Sequence, residues 1–195
     1  MSELSTESSD LQAEIHTWYT CMGKITLRAV GILPEMEALD FGCGPGRFTV
    51  PLAQACFPHG TVHALDRRSE PLEELAERLA VFAPDSRVCL HCEESGDLRE
   101  LFAPKSLDVM FLFDVLQHVP DRRALFEQLA QILRTDGRIF LYPAAQPHPG
   151  RVDMSAVSAE LARSGFGFFW WKDLRIPHSH EMVDDRIYVF SRDGG

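Results

Sequence analysis

The feature that most constrains this chain is a cluster of glycines directly behind a short apolar segment. The stretch ALDFGCGPGRF, residues 38–48, contains Gly42, Gly44 and Gly46. Glycine lacks a Cβ atom, so it adopts positive φ angles cheaply and lets another group approach the backbone closely. In open α/β sheets, ligands bind at the carboxyl ends of the strands. We therefore expect a strand, a tight loop and a helix to meet here, at a ligand site.

The pattern after this loop predicts the rest of the sheet. The near-continuous apolar run in LDVMFLF indicates a strand buried on both faces, as in a parallel sheet covered by helices. Right-handed crossovers then give a Rossmann-like, doubly wound α/β/α sandwich of three layers. No helical pattern separates the last two strands, which predicts an antiparallel C-terminal hairpin and a mostly parallel sheet of seven strands. The seven predicted strands lie in MEALDF, TVHALD, RVCLHC, LDVMFLF, RIFLYP, FGFFWW and RIYVFSR.

Local signals also predict where the helices begin and end. Apolar residues recur every three or four positions from Ser8 to Val30, which predicts one amphipathic helix or two short ones that would separate at Gly23. Ser69 is expected to cap the helix that follows the second strand. The segment DRRALFEQLAQILRTDG predicts a helix, which Gly137 is expected to end in a left-handed conformation.

Length and charge define the class of protein. A chain of 195 residues predicts one domain, with a leading helical segment over 1–33, a core over 34–144 and a C-terminal part over 145–195. The formal charge of −10 argues against a nucleic acid partner. The polar, acidic start and the lack of a long apolar run argue against a signal peptide and a membrane partner. A cytoplasmic location is the resulting prediction, and the oligomeric state stays open.

The five cysteines also fit the predicted cytoplasmic location. An odd number cannot pair completely within one chain, so we expect free and mostly buried thiols. Cys89 and Cys92 form a C-x-x-C pattern inside a predicted strand, where a structural role is favoured over redox or zinc chemistry. His178 and His180 are close in sequence but lack a third ligand by spacing, so no metal is assigned.

The residues around the glycines narrow the choice of ligand. A dinucleotide fingerprint, G-x-G-x-x-G, would place its last glycine at position 47, where this chain has Arg47. Asp40 stands at the end of the first strand. A carboxylate adds little to a phosphate cradle, whereas it attracts a ligand that carries an amine and a sulfonium.

The segment LDFGCGPG closely resembles the first motif of the class I S-adenosylmethionine-dependent methyltransferases, and ordered matches continue from Met36 to Ala144. The resemblance implies S-adenosylmethionine as the cofactor. It also implies that Asp66 binds the ribose hydroxyls, since a carboxylate offers two acceptor oxygens to a diol. Near the adenine it implies Glu94, with Glu93 or Asp97 as alternatives. The full implied cofactor set is Asp40, Gly42, Cys43, Gly44, Gly46, Asp66, Arg67, Glu94, Phe113 and Asp114.

The same resemblance implies the acceptor side of the site. His118 and Asp114 are the catalytic candidates, because either could take a proton from an acceptor. The leading helix folds over the cofactor in many members of this family. The candidate pocket residues are Tyr19, Leu116, Gln117 and His118.

The predicted activity is methyl transfer by in-line displacement to a small-molecule acceptor, since residues 145–165 leave no room for an added substrate domain. The acceptor and its reacting atom stay open. Two alternatives remain: a member of the same fold that binds cofactor without turnover, and a nicotinamide-dependent oxidoreductase, which Arg47 disfavours.

Overall fold

The computed structural model describes residues 11–93, 97–143, 152–179 and 181–192. In these residues, seven strands form one sheet in the order β3-β2-β1-β4-β5-β7-β6. Strands β1 to β5 are parallel, whereas β7 is antiparallel to both β5 and β6. The predicted fold class is thus confirmed. The strands are β1 (Glu37–Phe41), β2 (Thr61–Asp66), β3 (Arg87–Cys92), β4 (Leu107–Phe113), β5 (Leu133–Tyr142), β6 (Gly167–His178) and β7 (Glu181–Ser191).

The helices lie on both faces of this sheet. The leading helix α1 is described over residues 11–29: it is α-helical over 11–17, π-helical over Trp18–Met22 and α-helical again over Gly23–Ala29. A 3-10 turn, Leu116–His118, follows β4. The other helices are α2 (Thr49–Cys56), α3 (Ser69–Phe82), α4 (Leu98–Leu101), α5 (Arg122–Ile132) and α6 (Met154–Arg163).

Strand β4 shows why the sheet needs two covering layers. Its side chains alternate between the faces, as the pleat of a strand requires. Phe111 belongs to the apolar cluster that includes residues of α1, α2 and α3, whereas Met110 and Leu112 belong to the cluster that includes residues of α4, α5 and α6. All three side chains are fully buried. The continuous apolar run in the sequence reflects this double burial.

Of the two forms predicted for the leading helix, the structure shows the unbroken one, because Gly23 keeps a helical φ of −59°. A Cβ atom there would lie 2.6 Å from Pro51 Cβ, so the glycine lets α1 and α2 pack closely. The helix after β4 ends at Ile132 and not at Gly137, since Leu133 already pairs with Leu107 at the start of β5.

Two local predictions were wrong, namely this helix end and the cap of α3. Arg68 is the N-cap residue, without a side-chain hydrogen bond, and Ser69 is the first helical residue. The hairpin strands also extend further than predicted, because the segment between FGFFWW and RIYVFSR is itself strand up to a turn at Ser179. The β6–β7 hairpin is consequently long.

Gly46 fixes the position of α3 against the glycine loop. Its φ of +85° is a left-handed conformation. A Cβ atom at this position would lie 2.3 Å from Leu75 Cδ1, and Leu75 is fully buried in α3. This glycine is therefore explained by packing alone, without a ligand.

Gly46→Ala is expected to destabilise the fold more than Gly44→Ala. Both changes place a Cβ atom on a residue with positive φ, which costs about 1–2 kcal/mol. Only Gly46→Ala also overpacks a buried leucine, which adds about 1–3 kcal/mol. Gly44 has no atom within 4 Å of the added Cβ and is the matched control. Urea denaturation of both variants measures the difference, and equal losses of stability would contradict this reading of Gly46.

Candidate functional site

The glycine loop leaves the carboxyl end of β1, between β2 and β4. The backbone N–H groups of Gly42 and Cys43 donate to the carbonyl of Leu65, at 2.8 and 3.0 Å. Gly44 N donates to Asp66 Oδ2 at 3.0 Å. The loop is thus attached directly to the end of β2.

Asp66 holds this junction with both carboxylate oxygens. Oδ2 accepts from Gly44 N, and Oδ1 accepts from Arg68 N at 3.1 Å. Each carboxylate oxygen can accept more than one hydrogen bond. Gly44 has φ +51° and empty space where a Cβ atom would lie. Asp66 therefore sits beside an open backbone position with acceptor capacity left for a diol.

Asp40 is the buried charge of the site. Its side chain is 3% exposed, and Oδ2 accepts a 2.6 Å hydrogen bond from Thr49 Oγ1. Burial raises the pKa of Asp40 to about 6, against the lowering effect of the Thr49 hydrogen bond, and the charge of Asp66 raises it further. A bound cation would favour the ionised form of this carboxyl group.

The leading helix is fixed to the same loop. Trp18 is 1% exposed, and its Nε1 donates to the carbonyl of Arg47 at 2.8 Å. Tyr19 stacks on Phe82 of α3, with 5.3 Å between ring centroids. Burial raises the pKa of the Tyr19 hydroxyl. Tyr19, predicted to line the acceptor pocket, is thus placed in the contact between α1 and α3.

Asp114 follows β4 in an unusual backbone conformation. Its φ of +51° is left-handed, which aspartate tolerates better than most residues. Gln117 Nε2 donates to Asp114 Oδ1 at 2.7 Å and to its carbonyl at 2.9 Å. His178 Nδ1 lies 3.5 Å from Asp114 Oδ2. Such backbone strain is frequent at functional sites.

The other predicted acceptor-side residues occupy different environments. Leu116 is 2% exposed and belongs to the apolar cluster under α5 and α6. The side chain of His118 is exposed, and its backbone N donates to the carbonyl of Val115. The structure therefore brings Asp114 and Gln117 together and leaves His118 at the surface.

The remaining cofactor candidates lie around the loop. Phe113 packs edge-on against Phe48 at 4.5 Å. Cys43 is buried, and burial raises the pKa of its thiol. Arg67 is exposed. Glu94 lies outside the described residues.

Glu93 and Asp97, the two alternatives to Glu94, both take part in hydrogen bonds with backbone groups. Glu93 N donates to the carbonyl of Asp66. Asp97 is the N-cap of α4, where its side chain accepts from Arg99 N. The Arg99 hydrogen bonds lower the pKa of Asp97 to about 2.

Sequence reasoning missed His178. It considered this histidine only as a metal ligand, together with His180, and placed the segment outside the strands. The signal was present in the short turn between two strands with matching alternation, which predicts that the hairpin tip lies at one end of the sheet. No local sequence pattern predicts the contact between the hairpin tip and Asp114.

All five cysteines are free, as predicted, but most of them are not buried. Cys43 and Cys56 are buried, whereas Cys21, Cys89 and Cys92 are exposed. The prediction of mostly buried thiols was wrong because β3 lies at the sheet edge and its outer face is uncovered. Within the described ranges, no group of three metal-binding side chains occurs. No helix in those ranges is long and apolar enough to cross a membrane.

Two cavities lie at the opposite, amino-terminal edge of the sheet. The larger, about 340 Å³, is lined by residues that include Glu37, His63 and Asp108. The smaller, about 230 Å³, is lined by residues that include Asp108 and Asp136. Both are separated from the glycine loop by the length of the strands.

About half of the chain matches a family of known proteins. Residues 39–139, from inside β1 into β5, match a family described as a methyltransferase domain. The chain belongs to this methyltransferase family. The match covers the glycine loop, Asp66 and Asp114, whereas Trp18, Tyr19 and His178 lie outside it.

Curated relatives of this methyltransferase domain are longer proteins. The chain is 26% identical to a demethylmenaquinone methyltransferase of Bacillus cytotoxicus over 125 residues, which are 64% of this chain and 51% of that protein. It is 32% identical to a trans-aconitate 2-methyltransferase of Deinococcus radiodurans over 136 residues, 69% of this chain and 48% of that protein. The chain thus spans about half the length of these relatives.

Solved structures show the same fold. A SAM-dependent methyltransferase from Aquifex aeolicus matches with a TM-score of 0.70 at 15% identity, covering 94% of this chain and 96% of that one. Magnesium protoporphyrin IX methyltransferase from Synechocystis, solved with bound SAM, matches with a TM-score of 0.63 at 22% identity, covering 96% and 80%. Both likenesses support the Rossmann-like architecture.

Asp40→Asn is expected to remove a pH-dependent loss of stability. Since the folded pKa is about 6 against 3.8, the favourable contribution is full below about pH 3.8 and is lost as pH rises through 6. A shift of this size corresponds to about 3 kcal/mol. The variant should therefore gain stability relative to the parent protein between about pH 4 and pH 7. Urea denaturation across this range measures the gain, and parallel pH profiles would show that Asp40 does not titrate with a raised pKa.

Proposed function

We propose that the chain is an S-adenosylmethionine-dependent methyltransferase that acts on a small-molecule acceptor. The observation that carries this proposal is the Asp66 carboxylate beside the open face of Gly44, in a chain of the methyltransferase family. Methyltransferases are also among the curated relatives and among the solved structures of the same fold.

The cofactor site is built from three complementary groups. Asp66 would accept hydrogen bonds from the two ribose hydroxyls with its remaining lone pairs. Gly44 lets the cofactor approach the backbone, because no Cβ atom fills the space above it. Asp40 supplies negative charge for the cationic end of the ligand. When bound, the cofactor supplies a methyl group already activated by its sulfonium.

The protein's own task is then placement. An in-line displacement is accelerated chiefly by holding donor and acceptor in near-attack geometry. The leading helix covers the glycine loop through Trp18, and the aromatic contact between Phe48 and Phe113 continues this wall. Asp114 and Gln117 form the polar acceptor side. Asp114 is the better placed of the two proposed catalytic residues, since the side chain of His118 is exposed.

The two alternatives are less well supported. A nicotinamide-dependent oxidoreductase would use the third fingerprint glycine, and Arg47 occupies this position with its carbonyl bound to Trp18. A member without turnover would keep the cofactor site and lose the acceptor side, whereas this chain holds Asp114 in place with Gln117. The five free cysteines support a cytoplasmic location.

Asp66→Ala is expected to weaken binding of S-adenosylmethionine by about 1–3 kcal/mol, because it removes the acceptors for two hydroxyl groups. Asp136→Ala is the matched control, since it removes an exposed aspartate at the opposite edge of the sheet. Isothermal calorimetry of the parent protein and both variants, with S-adenosylmethionine and NAD as ligands, measures the effect. Circular dichroism checks that Asp66→Ala still folds, since this residue also binds Gly44 N.

Three results would contradict the proposal. One is binding of NAD in preference to S-adenosylmethionine by the parent protein. The second is equal affinity of the folded Asp66→Ala and Asp136→Ala variants for S-adenosylmethionine. The third is failure of the parent protein to bind S-adenosylmethionine at all.

A further inference from the structure

The C-terminal hairpin extends beyond the sheet, past its functional edge. Strand β7 pairs with β5 only over Tyr188–Ser191. Residues 181–187 pair with β6 alone. Because β7 is antiparallel to β5, this two-stranded part projects past the carboxyl end of β5, which is the edge that carries the glycine loop and Asp114.

The projecting part of the hairpin is fixed by contacts with the core and with the leading helix. Ile176, near the tip, is 1% exposed and belongs to the apolar cluster that includes Trp18. Arg175 donates to both carboxylate oxygens of Glu14 in α1, at 2.6 and 3.0 Å. The hairpin therefore packs on the apolar core and on the leading helix at the same time.

The hairpin tip carries His178 to Asp114. His178 Nδ1 lies 3.5 Å from Asp114 Oδ2, on the side of the carboxylate away from the oxygen that Gln117 binds. The Tyr142 ring meets the imidazole edge-on at 6.2 Å. The side chain of His178 is 14% exposed and that of Asp114 is 34% exposed. Asp114 is thus the member of this pair that is open to a ligand.

We propose that His178 is a positioning residue that holds the Asp114 carboxylate toward the methyl acceptor. This inference rests on the function proposed above. Gln117 donates a hydrogen bond to one carboxylate oxygen and His178 lies 3.5 Å from the other, so the two oxygens have different neighbours and one of these neighbours comes from the hairpin. His178 comes from a segment 64 positions away from Asp114 and lies outside the residues matched by the family.

The same geometry indicates the chemical class of the acceptor. In the described part of the chain, Gln117 Oε1 is buried and has no hydrogen-bond donor. Each Asp114 oxygen also has room for a second hydrogen bond. The partly exposed Asp114 carboxylate can accept such a bond from an acceptor hydroxyl or amine, whereas the buried Gln117 Oε1 is closed to a ligand. A carboxylate acceptor would instead meet the negative charge of Asp114. The acceptor is therefore a hydroxyl or an amine.

The pairing is tested by the tautomer of His178, which does not depend on the cofactor. Which ring nitrogen carries the hydrogen is set by the hydrogen bond that this nitrogen makes. In nitrogen-15 NMR of the full chain at about pH 8, where an ordinary histidine is neutral, we expect mainly the Nδ1–H form. His178→Asn assigns the signal. Asp114→Gly removes the carboxylate and accepts the left-handed backbone. It should lower the ratio of Nδ1–H to Nε2–H by about two- to fivefold, the effect of one partly exposed charge pair.

Asp184→Asn is the control for this measurement, since Asp184 lies on the hairpin and binds Arg175. Glu181, which stands opposite His178 in the hairpin register, is left in place in all variants. A parent protein that favours the Nε2–H form would overturn the pairing. So would an Asp114→Gly variant whose ratio changes no more than that of Asp184→Asn.

The acceptor class is tested with matched probes. Benzyl alcohol, benzylamine and benzoate are added in turn to protein saturated with S-adenosylhomocysteine, and the side-chain signals of Gln117 and His178 are followed. Larger shifts with the alcohol or the amine than with benzoate support the inference. Equal or absent responses, or the largest response to benzoate, overturn it. If the protein binds S-adenosylmethionine but the His178 tautomer does not respond to loss of the Asp114 carboxylate, only the pairing is refuted. If the tautomer responds but S-adenosylmethionine does not bind, only the proposed function is refuted.

Discussion

The junction between β1 and β2 is the contact on which the site depends. Asp66 ends β2 and accepts hydrogen bonds from Gly44 in the loop after β1 and from Arg68 at the start of α3. One carboxylate thereby joins the loop after β1 to the turn that leads into α3. Gly46 completes the junction, because only glycine allows α3 to pack so closely on the loop. The open space at Gly44 is a consequence of this arrangement.

Two elements distant in sequence complete the edge of the sheet. The leading helix reaches the loop through the Trp18 indole, and the C-terminal hairpin reaches Asp114 through His178. The ion pair of Arg175 with Glu14 links these two elements to each other. The family match covers residues 39–139, so both of these elements lie outside it.

The sequence predicted the features that have local causes. The apolar run of β4 must be buried on both faces, and the glycines must follow a strand, so the sheet and the loop were predicted correctly. Gly137 was misread as a helix end because Leu133 already pairs with Leu107, which is distant in the chain. The alternatives at Gly23 could not be separated, since its packing depends on Pro51. Leu116 was assigned to the pocket by its position after β4, yet the turn directs it into the core. The contact of His178 with Asp114 depends on how the long hairpin packs on the rest of the protein, which no short sequence pattern predicts.

The proposed function requires that a nucleoside ligand binds at the glycine loop, and hydrogen exchange tests this most directly. Backbone amide exchange is measured with and without saturating S-adenosylhomocysteine, and peptides or residues that become protected are mapped on the chain. We expect slower exchange of the backbone amides over residues 42–46 and 65–68, where the loop and Asp66 meet. Protection confined to the cavities at the amino edge, around Glu37 and Asp108, would contradict it, as would no protection anywhere.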